Sequence, residues 1–281
     1  LMIKGKTTKM TAVFIFMAIV FVISAYPFYA MIINATSTNK EIFSGVPKFL
    51  PSTHLVSNFI ELNQRIPIIR NLMNSIFVSF ISTSLQVLIC ALSGFAFAKF
   101  NFKGKNTLFI VIMATMMIPG QVTLVPLFIL MAKFGWIDTY SAVILPSLVN
   151  AFGVFFMRQN MLNFPTEIIE AYKIDGCSHL RGFFQIVLPT MKPTIAVLSI
   201  LTFMGAWGNF MWPMLVLNSP EKYTLPVALR SLVAVDSAID YGQIMTGTLL
   251  SVIPVVIIFI AFQKYFIDGL MGGAVIRINL I

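Results

Sequence analysis

The sequence predicts an all-α integral membrane protein with six transmembrane helices and a cytoplasmic helix-turn-helix between the fourth and the fifth. Three observations predict it. Apolar residues make up 58% of the 281 and charged residues only 10%, whereas the apolar share of a soluble domain is normally near half. Six windows free of Asp, Glu, Lys and Arg recur along the chain, and a polar stretch of 33 residues separates the fourth from the fifth.

The windows are Met10 to Ile33, Asn71 to Ala98, Asn106 to Ala132, Thr139 to Met157, Pro193 to Pro220 and Tyr241 to Gln263, each 19 to 28 residues long. About 20 residues cross the roughly 30 Å of hydrocarbon, so each is long enough. A charge at a helix centre costs about 2.5–3.5 kcal/mol on insertion scales, which makes six uncharged windows a strong pattern. The first window is longer than a signal-peptide core and no small-x-small cleavage site follows it, so it reads as a retained anchor. On this reading residues 1–9 are an N-terminal segment, 10–33 the first helix, 34–70 an outer segment, 71–263 a five-helix core and 264–281 a tail.

Orientation follows from the cations. With the N-terminus inside, the inner segments hold 12 of the 19 Lys and Arg and the outer ones 7. Retained positive loops set topology, so both termini are expected to face the cytoplasm. The net charge of +9 is then a topology signal. Its Lys and Arg are scattered singly, which speaks against nucleic-acid binding.

The outer segment is broken by Pro47, Pro51 and Pro67 and includes an amphipathic stretch from Asn58, which is expected to form a short surface helix. Within the later windows lie Pro119, Pro126, Pro146, Pro213 and Pro254, with Gly120, Gly153, Gly205, Gly208 and Gly247 nearby. Membrane helices tolerate such residues where neighbours or water take up the freed backbone groups, as in transporter interiors; ordinary kinking is the plainer alternative. Asn150, Trp207, Asn209 and Trp212 are candidate substrate contacts, because indoles pack on sugar rings and amides bond hydroxyls. Interfacial tryptophans and amides that join helices account for them equally simply.

The polar stretch from Asn160 to Lys192 is longer than an antiparallel connection needs. Pro165 suits the start of a helix, Glu167 and Glu170 favour its N-terminal half, and Gly176 can end it in a left-handed conformation. Ser178 can cap a second helix that Pro189 is expected to stop. Such a pair is either a handle for another protein or an interfacial loop that packs the bundle.

Here the chain resembles a known family. Glu170-Ala-Tyr-Lys-Ile-Asp-Gly-Cys-Ser, followed by Phe184-Gln-Ile-Val-Leu-Pro189 and Pro193, is similar to the EAA loop of ABC importer permeases, with Tyr172 where the pattern has its second alanine. Asn74-Ser75, Ile118-Pro-Gly-Gln-Val-Thr-Leu-Val-Pro-Leu-Phe, Phe155-Phe-Met-Arg-Gln, Trp207-Gly-Asn-Phe-Met-Trp-Pro and the run from Gln263 to Val275 resemble the maltose-type sugar permeases within that group. The end departs from them, continuing as Ile276-Arg-Ile-Asn-Leu-Ile where Lys-Gly is usual. The resemblance implies coupling to an ATPase through Glu170, Ala171, Asp175, Gly176 and Cys177. It also implies a dimer of ATP-binding-cassette subunits that binds ATP and Mg, a second homologous permease, an extracytoplasmic sugar-binding protein, and a bacterial or archaeal cell membrane as the location.

The chain has no G-x-x-x-x-G-K-[ST] phosphate loop, so ATP hydrolysis is expected in separate subunits and no cofactor in this one. Cys90, Cys177, His54 and His179 match neither a disulfide framework nor a zinc site. The rival from another class is an ion-coupled secondary transporter. Proton-coupled carriers tend to place ionisable groups at mid-membrane, and the six windows hold no Asp, Glu, Lys or Arg. Sodium coupling through carbonyls escapes that argument. A purely structural scaffold leaves the long polar stretch unexplained.

Overall fold

The computed structural model describes residues 2–46, 48–235 and 239–275, and these are helical without a strand among them. Pro47 and the departing end Ile276 to Ile281 lie outside the described residues. Three helices are long and apolar enough to cross a membrane singly, within α1 (Met2–Ala35), α3 (Ile68–Lys99) and α13 (Tyr241–Val275). Three further pairs pass the same test only when taken together: α4 (Lys105–Thr115) with α5 (Gly120–Lys133), α6 (Tyr140–Ser147) with α7 (Ala151–Leu162), and α9 (His179–Thr190) with α10 (Lys192–Trp207). The members of these pairs are bent by 99°, 42° and 83°. The remaining elements are α2 (Leu55–Arg65), α8 (Thr166–Ile174), α11 (Met211–Val216) and α12 (Leu225–Val235), with single short turns of helix at Asn39–Ile42 and Pro220–Lys222.

The chain forms two compact units, and they do not follow its linear order. Residues Leu1–Ile68 group with Leu229–Ile253, and Ile69–Ala228 with Pro254–Ile281. In the first unit α1 exposes its apolar surface all round from Met10 to Ile23, as a helix facing lipid does. Polar side chains hold its far end. Asn58 on α2 is buried and donates to the carbonyls of Ala35 at 2.9 Å and Ser37 at 3.0 Å. Thr246 on α13 donates to Ala35 as well, and the Gln243 amide donates to Glu61 at 2.8 Å. Gly242 has to be glycine, because a Cβ there would meet the Ser37 carbonyl at 2.4 Å. Glu41 closes a capping box with Thr38. The Lys48 ammonium and the Thr38 N–H hold its carboxyl down at about 2.

In the second unit α3 is the central element. Its first turns use Asn71 and Asn74, whose amides donate to the carbonyls of Pro220, Glu221 and Tyr223, while Ser75 accepts from the Leu225 N–H at 2.7 Å. Further along, Gly94 packs on α7 so closely that a Cβ would lie 2.5 Å from that of Met157. Close helix approach through small residues is the usual packing mode in lipid, where apolar burial drives little association.

The turn between α5 and α6 is fastened by Asp138. It sits at φ 62°, and its carboxylate accepts from the N–H groups of Asn218 and Ser219, the Ser219 hydroxyl and the Lys222 ammonium, the last at 2.8 Å. Partial burial opposes ionisation, but these four donors outweigh it and hold the carboxyl well below the ordinary aspartate range.

The structure differs from the sequence reading in three places. The fifth window does not continue helically to Pro220: α10 ends at Trp207, and Gly208 to Phe210 form a break before α11. Pro189 does not stop its helix. A π turn over Phe183–Val187 widens the helix by one residue, with Leu188 N bonding Phe183 O, and so admits the proline ring before the chain bends at Met191. The segment after Gln263 remains helical to Val275.

A carboxyl whose folded pKa is depressed stabilises the fold above the unfolded value of roughly 4 and loses that contribution as pH falls towards the folded value. Asp138→Asn is therefore expected to lower the thermal midpoint in detergent at pH 7. The gap to the parent protein should shrink as pH is lowered from about 5 to about 2; a gap independent of pH contradicts the charged latch.

Candidate functional site

Inside the second unit, the break between α6 and α7 opens a cavity of about 240 Å³. Three side chains satisfy the backbone there. The buried Gln86 amide on α3 donates to the Ser147 carbonyl. Asn150 caps α7, its Oδ1 accepting from the Gly153 N–H at 2.8 Å. The Cys90 thiol donates to the Asn150 carbonyl at 3.7 Å, and Gly153 lies so near it that a Cβ would be 2.5 Å from the sulfur.

The walls of the cavity come from α3 (Ser82, Gln86), the α6–α7 break (Ser147, Asn150, Phe152) and α10 with its C-terminal break (Leu198, Leu201, Thr202, Gly205, Ala206, Asn209). No charged side chain is among them. Of the four candidate contacts read from the sequence, the structure brings Asn150 and Asn209 together here and places the two tryptophans elsewhere. Trp207 is 7% exposed and stacked on Phe203 with ring centres 5.7 Å apart. Trp212 is 6% exposed and donates its indole N–H to the Ala142 carbonyl at 2.8 Å. Sequence reasoning missed Ser82, Gln86 and Thr202. The available signal was Ser82 and Gln86 four residues apart, hence on one face of an apolar helix.

The second candidate region is α8, its turn and α9. Lys99 anchors its start by donating to the carbonyls of Leu162 and Phe164. α8 ends in a paired closure: Gly176, at φ 74°, donates to Lys173 O, and Cys177 to Tyr172 O at 2.9 Å. This is the Schellman arrangement, which a Cβ at the glycine would strain. Ser178 caps α9 by accepting from the Arg181 N–H. Glu170, Ala171, Asp175 and Gly176 are exposed and Cys177 is half-buried. On either side of the turn, Ile174 is 86% and Leu180 65% exposed.

Tyr172 faces inward. It is 3% exposed, packs edge-on to His179, and covers Gly182 so closely that a Cβ there would lie 2.6 to 2.8 Å from its ring carbons. The ring thus fills space within this chain, and burial pushes its phenol above the ordinary value. Among the described residues no three His, Cys, Asp or Glu side chains are grouped to hold a metal.

Residues 86–271 match the family described as binding-protein-dependent transport system inner membrane component. The chain belongs to this family. It is accordingly a membrane permease subunit, and ATP hydrolysis resides in other subunits. It is 37% identical to the arabinooligosaccharides transport system permease protein AraQ of Halalkalibacterium halodurans over 90% of this chain and 91% of that one. It is 34% identical to the lactose transport system permease protein LacG of Rhizobium radiobacter, over 89% and 91%. It is also 30% identical to the sn-glycerol-3-phosphate transport system permease protein UgpE of Pectobacterium atrosepticum, over 88% and 91%. The fold is shared with a chain in the crystal structure of a bacterial ABC transporter involved in the import of the acidic polysaccharide alginate. That match has a TM-score of 0.82 at 20% identity and covers 93% of this chain and 98% of that one.

The contact between Tyr172 and Gly182 makes a double-mutant test possible in this permease. Gly182→Ala is expected to destabilise the detergent-solubilised protein by about 1–3 kcal/mol through overpacking, and Tyr172→Ala by about 3–5 kcal/mol through the cavity it leaves. Adding Gly182→Ala to Tyr172→Ala should cost almost nothing more, a coupling of at least ~1 kcal/mol. Additive losses in denaturant unfolding contradict the contact.

Proposed function

We propose that this permease is one half of the membrane pathway of an ATP-binding-cassette importer for a carbohydrate, and works by alternating access. The observation that carries this reading is the uncharged polar cavity at a helix break, inside an otherwise apolar membrane unit. Irregular backbone at membrane depth is tolerated where it is enclosed by protein or lines a water-filled space, and transporters place their binding sites at such discontinuities. The names of the arabinooligosaccharide and lactose relatives support a carbohydrate as the cargo.

In this reading the six apolar windows are six spans, the fifth running from Pro193 through α10 and α11 and leaving α9 on the cytoplasmic side, with both termini in the cytoplasm of a bacterial or archaeal cell. Residues 71–263 form the five-helix permease core. The exposed turn from Glu170 through Ala171, Asp175 and Gly176 to Cys177 docks into one subunit of an ATPase dimer that binds ATP and Mg. Ile174 and Leu180, apolar and exposed beside the turn, provide the contact area that such docking would bury. A second homologous permease supplies the other half of the pathway, and an extracytoplasmic binding protein delivers the sugar. Asn150 and Asn209 contact it, with Gln86 beside them; Trp212 ties the segment after Asn209 to α6 through the Ala142 carbonyl.

ATP binding closes the ATPase dimer and displaces the turn. α8 and α9 share a packed core with α3, α7 and α10, so the displacement reaches the cavity walls as a rigid-body movement. Gly176→Asp adds a Cβ at a positive φ and a charge at the docking surface. In proteoliposomes holding the whole importer, this variant should insert normally and lose ATP-driven sugar uptake; full uptake with the ATPase still bound refutes the coupling role.

A further inference from the structure

The cavity has hydrogen-bonding capacity that the protein itself leaves unused, and its composition is selective. The Ser147 and Thr202 hydroxyls donate their hydrogens to Ile144 O at 2.7 Å and Leu198 O at 2.8 Å, so each presents only oxygen lone pairs inward. Gln86 donates to Ser147 O and keeps its Oε1. Asn150 is the reverse, since its Oδ1 caps α7 and its Nδ2 hydrogens remain. Asn209, in the break after α10, contributes a whole amide.

The wall therefore offers acceptor oxygens together with amide donors and the Ser82 hydroxyl, and no cation lines the space. A hydroxyl suits such a wall because it donates and accepts at one atom. A carboxylate or phosphate only accepts. It would set its charge against the Ser147, Thr202 and Gln86 oxygens, desolvated and without a counter-ion. At about 240 Å³ the cavity is smaller than the roughly 300 Å³ at which drug-sized sites begin, so it holds one sugar ring at a time.

We infer that this cavity is a selectivity site for uncharged, polyhydroxylated solutes, and that it excludes phosphorylated and carboxylated ones. The inference rests on the proposed role of the cavity as part of the transport pathway. Asn209 and Asn150 are its specificity-determining residues, because between them they supply most of the free donors.

The test uses the complete importer in proteoliposomes, with four radiolabelled probes: lactose and arabinotriose, which are uncharged, and sn-glycerol 3-phosphate and an alginate trisaccharide, which are anionic. ATP-driven uptake is expected for uncharged probes only. Asn209→Asp keeps the shape but removes the donors, and Asn150→Asp does the same while retaining the helix cap. Each should lower the maximal rate at least tenfold and leave the KM for loaded binding protein unchanged, and Asn209→Gln should recover most of the rate. Uptake of an anionic probe at a comparable rate overturns the selectivity assignment and leaves the importer reading standing, as do aspartate variants that transport at the parental rate. An intact complex that takes up none of the four probes with ATP counts against both.

Discussion

Hydrocarbon offers no partner to a backbone N–H or C=O, so a membrane chain has to satisfy these groups internally, and each one left bare costs several kcal/mol. A straight helix meets that demand automatically. Among its described residues this permease has three helix pairs bent by 42° to 99°, and at each bend the i to i−4 ladder is interrupted. At the α6–α7 break, Gln86, Asn150 and Cys90 take up the groups that the ladder releases. Trp212 does the same for Ala142 within α6. These polar side chains on neighbouring helices therefore fix where the chain is able to break.

The cavity follows from that constraint. Once α6 and α7 part, the side chains that mend the break turn their remaining polar atoms into the space beside α3 and α10. The same helices continue into the exposed turn. Met157 and Met161 of α7, Ile169 and Tyr172 of α8, Phe183 and Val187 of α9 and Leu198 of α10 belong to one buried cluster. Close-packed interiors shift as bodies instead of deforming locally. A turn held by such a core is a suitable lever in the proposed cycle.

The all-helical membrane class was legible in the sequence because hydrophobic length is read directly against bilayer thickness. The limits of α8 and its turn were legible for a different reason: Pro165, Gly176 and Ser178 each carry a local backbone preference that needs no tertiary partner. The bends were not. Pro119, Pro146 and Pro193 mark where a break is possible, but the angle depends on which neighbour receives the freed groups. Trp207 and Trp212 were ambiguous in the sequence because an indole serves equally as a sugar platform and as a helix fastener; neither lines the cavity, and the Trp212 indole is spent on the Ala142 carbonyl. Gln86 passed unnoticed since one amide in an apolar helix has many uses. Tyr172, where the family pattern has a small residue, could be placed only once Gly182 was seen beneath its ring.

In the proposed cycle the walls of the cavity change access when the partner ATPase changes state. Single cysteines at Leu201, Gly205 and Ala206, all in the cavity wall, in a background with Cys90 and Cys177 replaced by alanine, report this directly through labelling by a membrane-impermeant thiol reagent in the whole complex. Arresting ATP hydrolysis should change the labelling rate at these sites several-fold, while a cysteine at Phe14 on the exposed apolar surface of α1 stays constant. Unchanged labelling at all three cavity sites, in a complex verified to transport, contradicts alternating access through this subunit.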